Sequence, residues 1–355
     1  MIISTQKMPA RLKIEVADRG FLVAEEPRAY QSFPTITRLG QRRYLVGYRQ
    51  GWVDEDWSRE AGDHGLAGDI YLTSSTDDGQ SFAQPWRVVD HAKEGTNEHD
   101  ALVTALDEKM VLLITRSHGP SIFNSFWSLS LDAGLTFFER SPLRLGPNPL
   151  AFFGHALADP EEGGFLLSFY TNLSTDPWVE LVQPGLARFR PDGSPPELVG
   201  WLWQNEEATD YTFNETSVVR LPDGRLFALL RQEPCWLGLH SSFSQDNGRT
   251  WSQPKPAGLL GEAPSLLLLP DGRLLVIYRG LLPLRPECCI CLSLSVDAGQ
   301  SWSVPFVLAR YTGGRFHGGY GDLALTDSGE ILAVYYLAQT GQLPHLEYSR
   351  IKLLD

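Results

Sequence analysis

Cysteine, long apolar runs and basic charge are all scarce in this 355-residue chain. Its four cysteines are Cys235, Cys288, Cys289 and Cys291. Three of them read as one strand, Cys288-Cys289-Ile290-Cys291, in which neighbours point to opposite faces. No second Cys/His cluster stands at ligand spacing, so neither a zinc site nor any other metal or cofactor is expected. A disulfide framework is not expected either. No stretch approaches the roughly eighteen consecutive apolar residues of a membrane span. Met1–Leu12 carries basic residues but no continuous apolar core, so it does not read as a secretory signal and a cytoplasmic location is expected. With 30 Lys and Arg against 43 Asp and Glu, the formal net charge of -13 argues against nucleic acid as a partner. No Pro/Gly/Ser-rich linker divides the composition, so residues 1–355 are expected to form a single domain.

The chain repeats one phrase four times. Ser75-x-Asp77-x-Gly79-x-Ser81-Phe82 returns as Ser130-x-Asp132-x-Gly134-x-Thr136-Phe137, as Ser244-x-Asp246-x-Gly248-x-Thr250-Trp251, and as Ser295-x-Asp297-x-Gly299-x-Ser301-Trp302. Each position has a physical purpose in a turn. The Asp side chain accepts from the turn's own N–H groups, and the Gly takes φ > 0 without a Cβ clash. The Ser or Thr hydroxyl ties the loop ends, and the aromatic packs into the sheet. The Asp residues are separated by 55, 114 and 51 positions. The long gap is two periods, with a worn copy near its middle at Arg190-Pro191-Asp192-Gly193-Ser194. A period of about 50–57 residues suits a four-stranded propeller blade with generous loops.

Six hairpins of apolar run, polar turn and apolar run support the same count: Phe33–Arg49, Ala101–Arg116, His155–Tyr170, Thr216–Arg231, Pro264–Arg279 and Gly321–Tyr336. Two of them share Leu-Pro-Asp-Gly-Arg-Leu at the turn, a strong hairpin signal. The expected fold is all-β, a six-bladed β-propeller with four-stranded antiparallel blades.

In such a fold the residues that open strand one and close strand two of each blade share one rim. The openings supply Ser32, Glu98-His99-Asp100, His155, Asn214-Glu215, Glu262, and Tyr320 with Asp322. The closings supply Arg49, Arg116, Tyr170, Arg231, Arg279 and Tyr335-Tyr336. Rim ion pairs are one reading of this set. The other is a binding site, because arginine grips a planar carboxylate with two parallel donors. Arginines, carboxylates and tyrosines around one concavity then point to an anionic sugar or a similar small acid.

These motifs resemble those of the sialidase (neuraminidase) superfamily, the six-bladed propellers with Asp-box turns, over roughly residues 28–340. Phe213-Asn214-Glu215-Thr216-Ser217, followed by Leu-Pro-Asp-Gly-Arg and closing on Arg231, is similar to the segment that supplies a glutamate and a carboxylate-binding arginine. Gly319-Tyr320-Gly321-Asp322 is similar to the segment holding the nucleophilic tyrosine. Gly62-Asp63-His64-Gly65 occupies the place of the acid/base aspartate, and Gly154-His155-Ala156 resembles the opening of blade three. Arg285 matches the last of the family's arginines, with Arg279 the competing choice.

The resemblance implies that Glu215 activates Tyr320, that Asp63 protonates the leaving oxygen and that arginines hold the substrate carboxylate. On that reading Tyr320 and Glu215 converge across the channel. A neutral tyrosine avoids the repulsion an anionic nucleophile would meet at an anomeric carbon bearing a carboxylate; sialidases depart from the paired-carboxylate rule of glycosidases in this way. One position departs from the pattern: Ser32-Phe33-Pro34 stands where the family has an Arg-Ile-Pro-like opening. Arg49 or Arg43 is then the guanidinium left to blade one. Glu98, His99, Asp100 and Glu262 are rim groups outside the family's set. The expected function is an exo-glycoside hydrolase acting on sialic acid or another acidic sugar terminus. Two readings compete with it: a neutral-sugar glycosidase or lyase of the same fold, and a non-catalytic carbohydrate-binding propeller.

Overall fold

Strands whose two faces are both apolar must be covered on both sides, and a ring of radial sheets does this without leaving an outer layer. The computed structural model has this form. It describes residues 12–354 apart from 54–65, 120–121, 147, 173–181, 191, 193, 205–210, 234–237 and 282–287. Six four-stranded antiparallel sheets surround a central channel. The inner strands, in blade order, are Ala29–Gly40, Asn97–Ala105, Leu150–Ala158, Thr212–Arg220, Gly261–Leu268 and Gly318–Leu325. The second strands are Arg43–Trp52, Val111–Gly119, Phe165–Asn172, Leu226–Glu233, Leu274–Gly280 and Ile331–Leu337. Third and fourth strands complete each blade outward. In blade six the third strand is His345–Leu353, and the fourth comes from the other end of the chain: Ile14–Phe21 pairs antiparallel with it, from Ile14 opposite Leu353 to Phe21 opposite Glu347.

The core lies between blades rather than at the centre. In the second strand of blade five, Leu274, Val276 and Tyr278 pack towards blade four, while Leu275 and Ile277 pack towards blade six. The same alternation recurs around the ring, giving an apolar cluster at every blade junction. Burial of each Leu, Ile or Val in such a cluster is worth about 1.5–3 kcal/mol.

The repeated phrase is a turn between third and fourth strands. In all four copies the Ser hydroxyl donates to the Asp carboxylate at 2.7–2.8 Å. The same hydroxyl accepts the Gly N–H at 2.8–2.9 Å. The other Asp oxygen accepts the closing Ser or Thr hydroxyl at 2.5–2.6 Å. The residue before each Gly is left-handed too: Asp78, Ala133, Asn247 and Ala298 have φ between 58° and 67°. The glycines also seal the blades. A Cβ on Gly79, Gly134, Gly248 or Gly299 would stand 2.4–2.8 Å from Leu332, Leu45, Leu186 or Phe227 of the preceding blade. The worn copy occupies the equivalent place in blade three, where Ser194 N–H donates to Asp192 at 2.9 Å.

Candidate active site

All six inner strands break register near the channel mouth. The breaks fall between Ser32 and Thr35, His99 and Ala101, Phe153 and Leu157, Phe213 and Thr216, Glu262 and Ser265, and Gly318 and Gly321. Five of the six bulges contain a left-handed residue: Phe33 (φ 53°), Asp100 (43°), Gly154 (81°), Ala263 (49°) and Gly319 (101°). A bulge turns side chains off the pleat, and here six of them aim residues at one axis. The resulting pocket is lined by Phe33, Pro34, Asp100, Phe152, Phe153, Tyr320 and Asp322, with Ser265 among its remaining walls.

From the wall of this pocket Tyr320 Oη donates to Glu215 Oε1 at 2.5 Å. Arg231 Nη1 donates to Glu215 Oε2 at 2.6 Å and to Tyr320 Oη at 3.0 Å. Burial raises the Tyr320 phenol well above its ordinary pKa and the Glu215 charge adds to this, while Arg231 and Arg279 pull it back. The expected convergence of Tyr320 and Glu215 is therefore present, with Arg231 joined to both.

The other edge of Arg231 meets protein carboxylates. Its Nη2 pairs with Glu233 and lies 3.0 Å from Glu262 Oε2. Glu262, 0% exposed, is also gripped by Arg315 through Nε at 2.8 Å and Nη2 at 2.7 Å. It is an internal counter-ion, not the substrate-binding group expected of it. Arg315 and Glu233 are missed by the sequence reading, since each lies just outside the strand ends it used.

Several other expected site residues are placed elsewhere. Arg49 is fully buried and donates to the Glu98 carbonyl at 2.7 Å and to Asn97 at 3.0 Å, joining blade one to blade two. The Glu98 carboxylate is fully buried among Thr96, Ser117 and Arg140, so it is structural as well. Arg279 is 1% exposed, with Nε and Nη2 on the Gly318 carbonyl at 3.0 and 2.7 Å. Its remaining nitrogen, Nη1, is buried 3.5 Å from Glu262 Oε2.

Asp100 and Arg116 do stand at the pocket, paired at 2.9 Å, and Arg116 also donates to Tyr170 at 3.2 Å. Burial raises the Asp100 pKa against the pull of Arg116. His99 stacks on His118 with ring centroids 4.3 Å apart. His155 Nε2 meets Asp322 Oδ1 at 2.7 Å across the channel, and Asp322 also accepts from Ser265 and from the Ile36 N–H. Ser32 pairs with Arg49 in the sheet and brings no positive charge. Asp63 and Arg285 lie outside the described residues.

Among the described residues one group of potential metal ligands exists, Asp69, Asp90 and His91 on blade one. Arg87 already pairs with both carboxylates there, at 3.2 and 2.8 Å.

A sequence profile described as BNR repeat-like domain matches residues 59–332. No curated protein matches the chain. Among solved structures, a protein of unknown function from Dyadobacter fermentans DSM 18053 superposes with a TM-score of 0.78 at 18% identity, over 96% of this chain and 99% of that one. The intramolecular trans-sialidase of Ruminococcus gnavus superposes with a TM-score of 0.64 at 13% identity, over 96% of both chains. A Penicillium chrysogenum α-L-arabinanase reaches 0.59 at 13% identity, over 96% of this chain and 98% of its own. At these identities the structural likeness concerns the fold alone. The profile covers most of the chain, which therefore belongs to the BNR repeat-like family, and its fold is a six-bladed β-propeller.

Proposed function

We propose that the chain is a sialidase-like exo-glycoside hydrolase in which Tyr320 is the nucleophile and Glu215 its base. The 2.5 Å hydrogen bond between them carries this reading. As Tyr320 Oη bonds to the anomeric carbon, its proton passes to Glu215 and the bond to the leaving oxygen breaks. That oxygen takes a proton from the general acid, the role the family resemblance gives to Asp63. Water then attacks the anomeric carbon, Glu215 returns the proton to the departing phenolate, and the acid's carboxylate takes the proton from water. A tyrosine is well suited to an anomeric carbon that bears a carboxylate, which favours an acidic sugar, with Arg231 the described guanidinium nearest the reacting pair. A second reading, a neutral sugar terminus, is favoured by the engagement of Arg231 with Glu233 and Glu262 and by Ser32 in blade one.

Purified protein would be assayed against labelled sialosides, uronides and neutral glycosides, with product analysis. Turnover is expected on one class, falling about a thousandfold or more in Tyr320→Phe and Glu215→Gln. Preference for sialosides or uronides supports the first reading, and preference for neutral glycosides the second. Unsaturated sugar products would replace hydrolysis with elimination. Saturable binding without turnover would leave a carbohydrate-binding propeller.

A further inference from the structure

We propose that Arg279 is a positioning residue for Tyr320: stacked on the phenol ring and bonded to the backbone beside it, the guanidinium holds the nucleophile in place and favours its phenolate. This rests on the reading of Tyr320 as nucleophile.

Three observations converge on it. The Arg279 Cζ lies 4.9 Å from the centroid of the Tyr320 ring. Its Nε and Nη2 both donate to the carbonyl of Gly318, two residues before Tyr320. Between these contacts sits Gly319, at φ 101°, where a Cβ would fall 2.4 Å from Arg279 Nε. The glycine is therefore what lets the bulge close onto the guanidinium, and the bulge is what turns Tyr320 towards Glu215.

A cation on an aromatic face is attracted by the ring, and more so when the ring carries the charge of a phenolate. The other groups facing Tyr320 come from every side of the pocket. Glu215 and Arg231 belong to blade four; the Tyr336 ring of blade six lies 6.2 Å away. Phe33 of blade one and Phe153 of blade three, at 5.2 and 6.2 Å, contribute apolar rings. Arg231 shares its charge among Glu215, Glu233 and Glu262. Among the described residues Arg279 has one carboxylate within ion-pair range, Glu262 at 3.5 Å. Its charge is thus less fully neutralised, and it faces the ring.

The test replaces Tyr320 with difluorotyrosine, whose phenol titrates at lower pH, and follows it by fluorine NMR in three backgrounds: wild type, Arg279→Gln and Arg279→Lys. Gln keeps a donor for the Gly318 carbonyl but removes the charge. Its expected effect is a phenol midpoint raised by about one pH unit, with kcat about tenfold lower and KM within about threefold. The lost kcat should return in part at higher pH, and Lys, which keeps the charge but not both hydrogen bonds or the flat stacking, should restore only part of the midpoint. An unmoved midpoint in a folded Arg279→Gln protein would overturn the proposal. So would a rise in KM at constant kcat, which would make Arg279 a substrate-binding group. If the Gln variant does not fold, Lys carries the test, because it cannot reproduce both hydrogen bonds and the flat stacking. A midpoint and kcat identical to wild type would then overturn the proposal, and a shift in both would support it. Full turnover in Tyr320→Phe would sink the proposed function instead, while the fluorine titration would still report whether Arg279 favours the phenolate.

Discussion

At the residue scale, the four arginines that close second strands are legible in the sequence as a pattern, but their purpose is not. Each faces the next blade: Arg49 reaches Asn97, Arg116 reaches Tyr170, Arg231 reaches Glu262 and Arg279 reaches the Gly318 carbonyl. The shared position reflects bridging between blades, and Arg231, Arg116 and Arg279 also meet the pocket residues Tyr320 and Asp100. His155 is a similar case. Burial lowers its pKa, but attraction and hydrogen bonding to Asp322 outweigh this, so the net shift is upward. Its proton therefore stabilises the folded state fully below the ordinary imidazole value of about 6.5, and that contribution is lost as pH rises through the raised value. His118 works on the other side, since burial, with Arg116 and Arg49 adding to it, pulls its pKa down to about 4. Its cost to stability grows as pH falls from about 6.5 towards that value. His155→Gln should lower the melting temperature below about pH 6.5, where the proton contributes fully, and flatten its fall above neutrality. Melting curves that keep the wild-type slope above neutrality would contradict the role assigned to this pair.

At the scale of the element, alternation in sequence ends where the bulges begin. The hairpins readable from the chain start at Phe33, Ala101, His155, Thr216, Pro264 and Gly321, whereas the inner strands start three to five residues earlier. The inserted residues disrupt the period of two, so the site-bearing part of each strand reads as loop. The Asp turns are legible because their geometry is local. What they press against is not, because the partner belongs to another blade. Gly299→Ala would place a Cβ 2.4 Å from the Phe227 ring at φ 85°. Its expected cost is about 2–4 kcal/mol, combining backbone strain with overpacking. Gly224→Ala, at φ 88° with nothing within 4 Å of the added carbon, carries the strain alone. Denaturant titrations should rank Gly299→Ala as clearly the worse of the two; equal losses would show that the contact between blades contributes little.

On the scale of the whole molecule, the ring closes through a pairing between chain ends. Ile14–Phe21 completes the sheet of blade six along His345–Leu353. Without it that third strand becomes an edge with unpaired backbone donors and acceptors, a template for association. Deletion of residues 1–21 should lower the melting temperature and increase light scattering on heating. A truncated chain that melts and scatters like the intact one would show that the closure is dispensable. The closure also bears on the site, because blade six carries Tyr320 and its neighbour around the ring, blade one, carries Phe33, with ring centroids 5.2 Å apart.

By itself the sequence determined the fold: the turn phrase and the apolar alternation are local, and four copies at a steady period leave one architecture. It also named Tyr320, Glu215 and Arg231, which the structure brings into one hydrogen-bonded group. Tertiary structure decided how each is used. Glu262 and Arg279 share the rim pattern of Glu215 and Arg231, yet the first became a buried counter-ion and the second a support beneath the tyrosine. The reason is physical: a charged side chain near a blade junction takes its character from the partner on the next blade. That partner lies tens of residues away in sequence and is brought within hydrogen-bond range only when the ring closes.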